Sequence, residues 1–172
     1  MRQRYFLTWI ILMVIQILLG GLLNLSQYVV LCFLPVMIMS LPITMSTAVL
    51  MLIAFATGFV VDLFTNGLLG LSICALVPVA LCRNWLIRLV FGTELLSRQE
   101  DISIHKQGPA KVLLSILLAN ILYFAVYVPV DCAGTRPAGF VLLRILCSVA
   151  LSTFVSYYVA GVLAPREADR WR

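Results

Sequence analysis

The chain of 172 residues is 63% hydrophobic and only 11% charged, with a mean hydropathy of +1.09. Soluble domains are about 45–50% apolar and about 25% charged, so this composition excludes an ordinary soluble domain and indicates an integral membrane protein. The net charge of +5 comes from basic residues scattered at the ends of apolar segments. They form no basic stripe with interleaved aromatic residues, so we expect no nucleic-acid partner.

Three apolar segments are predicted in the first part of the chain. The first covers about residues 5–23, and the polar stretch 24–27 ends it. The uncharged run 28–61 would be about 51 Å long as one helix, which is too long for a single crossing of the hydrocarbon layer. Pro42 disfavours a helical residue before it. We therefore divide the run into a second segment at 28–41, which Pro35 is expected to kink, and a third at 43–64.

Three further segments follow in the second part. The fourth covers about residues 67–90, the fifth 112–130 and the sixth 138–164, and a polar loop at 91–111 precedes the last two. Almost the whole chain is thereby placed in the bilayer, without room for a separate soluble catalytic domain. The sequence predicts a single transmembrane domain over residues 1–172, an all-α integral membrane protein built as a bundle of six transmembrane helices.

The basic residues predict how this bundle is oriented. With six crossings and cytoplasmic termini, ten of the twelve Lys and Arg residues lie in the N-terminus, the 83–111 region and the C-terminal tail. Only Arg136 and Arg144 remain on the outer side. Because Lys and Arg gather in the cytoplasmic loops of membrane proteins, we expect both termini and the 91–111 loop to be cytoplasmic.

Three ionisable residues fall at the outer end of the predicted bundle. Asp62 is near the end of the third segment, Asp131 begins the last outer loop, and Arg144 lies about two turns into the sixth segment. Ionisable groups inside membranes are costly and are usually paired or functional. We expect Arg144 to pair with Asp62, Asp131 or both. In the alternative, each carboxylate contacts interfacial water and Arg144 extends toward the surface.

Patterns that carry enzyme or metal chemistry are sparse. The two outer aspartates allow an intramembrane aspartyl peptidase, in which paired acids handle an attacking water, but no accompanying polar cluster supports it. The sole histidine, His105, lies in the predicted cytoplasmic loop outside any metalloprotease motif. The cysteines lack the close-spaced partners of a zinc site, and no phosphate-binding glycine loop occurs. We expect no enzyme, no catalytic residue, no metal and no cofactor.

Three glycines frame Asp62. Gly58 precedes it by four residues and therefore shares its helix face. A small residue there permits close helix packing, and the sequence leaves open whether the contact is internal or with a partner helix. Gly67 follows Asn66, and this pair indicates a turn between the third and fourth segments, with Gly70 just beyond it.

These residues resemble a known family. The stretch GFVVDLFTNGLLGLSICALVPVALCRNWLIRLVFG (58–92) is similar to the signature region of the rod shape-determining protein MreD family. That region has a G-x-x-x-D helix end, a short turn, a leucine–glycine step and an apolar helix that ends in arginine. In this chain the corresponding residues are Gly58, Asp62, Leu69, Gly70 and Arg83 or Arg88. Pro35 in the second segment and the charged linker before two final helices also agree with the family layout.

The resemblance implies a non-enzymatic scaffold of the cell-elongation machinery in the bacterial cytoplasmic (inner) membrane, which helps to maintain rod shape and organise peptidoglycan synthesis. The implied fold is similar to the six-helix substrate-binding subunits of energy-coupling-factor transporters. The implied partner is MreC, through its transmembrane helix and periplasmic region. Indirect partners are the MreB filament, a SEDS glycosyltransferase and a class B penicillin-binding protein, and the bundle contacts membrane lipid. The candidate partner-binding or structural residues are Gly58, Asp62, Gly67, Gly70, Arg144 and Pro35.

A second interpretation gives the same fold a different function. A small-solute-binding subunit of a membrane transporter would need an outward-facing polar pocket. Asp62, Asn66, Asp131 and Arg144 could furnish one, but four polar residues are few for recognising a vitamin. We therefore prefer the scaffold and keep the solute-binding subunit as the alternative.

Overall fold

The computed structural model describes residues 2–22, 29–65, 69–92, 108–132 and 136–163, and these ranges contain six α-helices and no strand. The all-α prediction is therefore confirmed for the described part of the chain. In chain order the helices are α1 (Arg2–Leu22), α2 (Leu34–Met39), α3 (Thr47–Thr65), α4 (Leu71–Phe91), α5 (Pro109–Cys132) and α6 (Ala138–Leu163).

Four of these helices, α3 to α6, are long and apolar enough to cross a membrane. The apolar part of α1, Leu7–Gly20, is shorter than these four helices. Large apolar side chains such as Leu52, Phe64 and Leu146 point out of the bundle. Lipid tails are as apolar as these side chains, so such a surface suits a bilayer. The described helices form a bundle of the kind that spans membranes.

Glycine and proline explain where two of the long helices begin. α4 begins at Leu71 and not at residue 67, because Gly70 has a φ of +102°, a left-handed conformation that an α-helix does not include. α5 begins at Pro109, three residues before the predicted position, because a proline in the first turn removes no helical hydrogen bond. Gly67, which was assigned with Asn66 to the turn before Gly70, lies outside the described residues.

The second predicted segment differs most from expectation. Residues 29–33 are not helical, and only Leu34–Met39 forms a helix. Six residues rise about 9 Å, so α2 alone is too short to cross a membrane. The predicted kink at Pro35 is also wrong, because this proline lies in the first turn of α2. The predicted break before Pro42 is confirmed, since the helix ends at Met39 and is capped by Ser40.

The neighbouring helices show that this segment nevertheless passes through the bundle. Gly20, near the end of α1, lies against the side chain of Thr65 at the end of α3. Because α1 and α3 end on the same side, the chain between them must return to the opposite side before α3 begins. It does so as a non-helical stretch (29–33), the short helix α2 and a turn (40–46). We call residues 29–46 the broken crossing.

Close packing joins α3 to α4 beside Asp62. A Cβ atom added to Gly58 would lie 3.0 Å from both the backbone N and the Cα of Ile73 in α4. Real Cβ atoms rarely lie this close to another backbone, so the approach of the two helices favours glycine at this position. The contact at Gly58 is therefore internal, which decides between the two interpretations that the sequence left open. The end of the bundle where α3 ends and α4 begins is called the Asp62 end below.

Gly58→Ala should lower the melting temperature of the purified protein, because the new methyl group would push against the backbone of Ile73 and separate α3 from α4. Overpacking of this kind costs about 1–3 kcal/mol. Gly161→Ala in α6 is the matched control, because a Cβ atom there meets nothing within 4 Å. Its melting temperature should not fall. If the two variants melted alike, the close approach of α3 and α4 would be contradicted.

Candidate functional site

Side chains from α6 bind the backbone of the non-helical stretch. Ser148 Oγ accepts a hydrogen bond from the N–H of Val30, and Ser152 Oγ accepts one from the N–H of Cys32, each at 3.0 Å. Two residues of extended chain advance about 6.6 Å, and four residues of helix advance about 6.0 Å. The serines, four residues apart on one helix face, therefore match every second amide of the stretch.

A glutamine from α1 binds the other side of the same stretch. Gln16 Nε2 donates to the carbonyl of Leu31 at 3.2 Å, and Gln16 Oε1 accepts from the N–H of Phe33 at 3.1 Å. Alternate residues of the stretch thus face α6 and α1, as in an extended strand. Non-helical backbone at membrane depth is tolerated only where protein or water satisfies it, and these three side chains provide that satisfaction.

A buried arginine binds the opposite end of α2. The guanidinium of Arg83, which is fully buried, donates through Nη2 to the carbonyl of Met39 at 3.1 Å and to that of Leu41. The last carbonyls of a helix lack intrahelical partners and carry partial negative charge, so a cation is stabilising there. Arg83 had been assigned to the cytoplasmic end of the fourth segment. The structure places it inside the bundle instead, so it does not belong to the count of cytoplasmic charges.

Asp62 binds the start of α4, as Arg83 binds the end of α2. Its carboxylate is fully buried and accepts the N–H of Gly70 at 2.9 Å and the N–H of Ser72 at 3.0 Å. The first N–H groups of a helix carry partial positive charge and need acceptors. The expectations that Asp62 contacts interfacial water or pairs with Arg144 are therefore wrong. This carboxylate caps α4 and joins it to α3.

Arg144 pairs with Asp131. Its Nη1 lies 2.7 Å from Asp131 Oδ2, and the two side chains are 15% and 22% exposed. Of the pairings expected for Arg144, the structure therefore forms the one with Asp131. Asp62 and Asp131 are bound by different groups, and the described residues do not form the shared carboxylate site that an aspartyl peptidase would need.

Tyr123 of α5 connects the Asp62 cap to the broken crossing. Its buried side chain lies beside the side chains of Cys32 and Ser72. Cys32 lies in the non-helical stretch, and the amide of Ser72 binds Asp62. One continuous set of polar contacts thus runs from Asp62 through α4 and α5 to the stretch and on to α6. These contacts hold five segments together, namely α3, α4, α5, the non-helical stretch and α6. Their role is therefore structural.

Most of this set was not predicted from the sequence. The predictions did not include Gln16, Tyr123, Ser148 or Ser152, and they placed Arg83 at the wrong position. A usable signal was present, because Gln16 interrupts an otherwise apolar segment and the serines recur at a spacing of four. Such polar residues in an apolar helix mark a face that binds protein and not lipid.

Comparison of the chain with protein-family models, curated proteins and solved structures gives no match in any of the three. The resemblance to the MreD family and the functions that it implies are therefore taken up below as a proposal.

Asp62→Ala should lower the melting temperature, because it leaves the amides of Gly70 and Ser72 without their acceptor. A buried polar group without a partner costs about 1–3 kcal/mol. Asp62→Asn keeps one acceptor oxygen and should destabilise less. Ser115→Ala is the control, because this buried hydroxyl donates to a carbonyl of its own helix and its removal leaves no N–H group without an acceptor. A loss in Asp62→Ala no larger than in Ser115→Ala would contradict the capping role.

Ser152→Ala should speed amide hydrogen exchange in a peptide that covers residues 29–33, because the N–H of Cys32 loses its acceptor. The measurement is hydrogen exchange by mass spectrometry on the full chain in lipid nanodiscs. Ser115→Ala is the matched control, since this buried serine binds only the carbonyl of Val112 in its own helix. Equal exchange of the 29–33 peptide in both variants would show that α6 does not hold the stretch.

Proposed function

We propose that the chain is a non-enzymatic scaffold of the bacterial cell-elongation machinery that binds MreC, helps to maintain rod shape and organises peptidoglycan synthesis. In this proposal it lies in the cytoplasmic membrane with both termini in the cytoplasm, and its fold is similar to energy-coupling-factor substrate-binding subunits. The observation that carries the proposal is that the MreD-like signature residues contact one another's helices and join them. Gly58, Asp62 and Gly70 build a single joint between α3 and α4.

Each residue of that joint meets a specific physical requirement. Gly58 permits close contact of two helices, Asp62 supplies the acceptor for the start of α4, and Gly70 adopts the positive φ of the turn. A motif whose members bind one another fixes the shape of a bundle and leaves no reactive group for chemistry. This supports a scaffold, in which a fixed shape is itself the functional property.

The same contacts weigh against the solute-binding alternative. Asp62, Asp131 and Arg144 had been considered as the polar lining of a ligand pocket, and each of them binds another group of the protein. Asn66, the fourth candidate, lies outside the described residues. A solute would have to replace an internal hydrogen bond or ion pair at each of the three described positions, which reduces the free energy available for binding it.

The outer faces of the helices are where a partner's transmembrane helix would pack. Of the four spanning helices, α6 is the least enclosed, with 22% of its apolar stretch buried against 33–50% for the others. Packing there would exchange lipid contacts for helix contacts without disturbing the interior. MreC bound in this way would connect the bundle to the periplasm, and through it to the MreB filament, the SEDS glycosyltransferase and the class B penicillin-binding protein.

Affinity purification of the tagged chain from native bacterial membranes, followed by mass spectrometry, should recover MreC together with cell-wall synthesis proteins. Recovery of the ATPase subunits of a transporter without MreC would overturn the scaffold and support the solute-binding subunit. Gly58→Leu is unsuitable for mapping the partner, because its effect would fall on the internal packing of α3 and α4.

Two native cysteines allow the partner's position to be mapped. Cys74 is exposed on α4 and Cys147 is exposed on α6. With single cysteines placed along the MreC transmembrane helix, oxidation should give a disulfide-linked adduct that Cys147→Ser abolishes and Cys74→Ser leaves intact. The opposite pattern would place the partner on α4 and contradict binding at α6.

A further inference from the structure

Ser156 continues the serine row of α6 but binds nothing. Ser148, Ser152 and Ser156 are spaced by four residues and are all fully buried. The first two accept hydrogen bonds from the broken crossing, whereas Ser156 Oγ has no hydrogen-bond partner among the residues that the structure describes. Burying an unpaired hydroxyl is unfavourable, because its hydrogen bonds to water are lost without replacement. A third serine at this spacing is therefore not explained by the contacts that the structure shows.

The next amide in this series is that of Leu34. Val30 binds Ser148 and Cys32 binds Ser152, so a further step of two extended residues would bring the N–H of Leu34 opposite Ser156. Phe33 interrupts the extended chain, because its ψ of 12° turns the following amide into the start of α2. Leu34 is already the first residue of α2, and the side chain of Cys32 lies beside its N–H. Sulfur is a weak acceptor in comparison with a hydroxyl oxygen. A stronger acceptor thus lies unused one turn along α6.

The first turn of α2 is weakly held. Proline disfavours a helical conformation at the residue before it, and Leu34 precedes Pro35. The hydrogen bond that closes this turn, from the N–H of Met37 to the carbonyl of Phe33, is long at 3.4 Å, compared with the usual 2.9–3.0 Å. A helix that began at Pro35 would lose only this contact, and proline is well suited to the first helical position.

We propose that the broken crossing has a second state in which Phe33 and Leu34 are both extended. The N–H of Leu34, whose direction is set by the ψ of Phe33 (12° in this structure), then donates to Ser156 Oγ. The non-helical stretch is then one residue longer and α2 begins at Pro35. Because an extended residue advances about 3.3 Å and a helical one about 1.5 Å, α2 moves by roughly 1.8 Å toward Arg83. The carbonyls of Met39 and Leu41, which Arg83 binds, move with α2. A change in the non-helical stretch at the Asp62 end of the bundle therefore changes the contact with Arg83. This proposal does not depend on the proposed function.

The test is NMR of the full chain in lipid nanodiscs with 13C-labelled methionine methyl groups. Met37 and Met39 are buried in α2, whereas Met51 lies in α3. The α2 methyl groups should show microsecond-to-millisecond exchange in relaxation-dispersion experiments, and Met51 should not. Flat dispersion at both Met37 and Met39 in the wild-type chain would overturn the proposal.

Two substitutions distinguish this state from general mobility of α2. Ser156→Ala removes the acceptor and Pro35→Ala removes the bias against helical Leu34, so each should reduce the minor-state population by on the order of fivefold, the effect of one net hydrogen bond. Cys32→Ala removes the competing acceptor and should raise that population. If dispersion at Met37 were unchanged in both Ser156→Ala and Pro35→Ala, the second state would have some other origin and the proposal would be overturned.

Discussion

A backbone N–H or C=O group that leaves a helix inside a lipid bilayer has no water to bind. In this protein the broken crossing creates such groups at both ends of α2, and four polar side chains bind them. Gln16, Ser148 and Ser152 bind the groups before α2, and Arg83 binds those after it. These four residues are thus explained by the backbone before any ligand or reaction is considered.

Two buried charges follow from the same requirement, with opposite signs. Asp62 lies at the start of α4, where the amides carry partial positive charge, and Arg83 lies at the end of α2, where the carbonyls carry partial negative charge. Neither charge therefore requires an ion pair in order to be stabilised. This explains how an aspartate and an arginine can be fully buried in a chain that is 63% hydrophobic.

The parts of the fold that the sequence predicted are those set by local chemistry. Long apolar runs predicted the helices α3 to α6. Their ends were predicted to within a few residues, because proline and glycine act on the backbone beside them. The broken crossing was not predictable in this way, because Cys32 is bound by Ser152, 120 residues later in the chain. The contacts of Asp62 were predicted wrongly because its carboxylate was expected to pair with an oppositely charged side chain. Its partners were amides only eight and ten residues away.

The contact between Cys32 and Ser152 also has a consequence for the order of biosynthesis. When the ribosome has made the first crossing and the non-helical stretch, the helix that binds that stretch does not yet exist. At about 5–20 residues per second, the 120 intervening residues take roughly 6–24 s to be made. During this interval the backbone of residues 29–33 must remain in water, in the insertion machinery or in a temporary helix. The N-terminal half of the bundle can therefore reach its final structure only after the last helix has been synthesised.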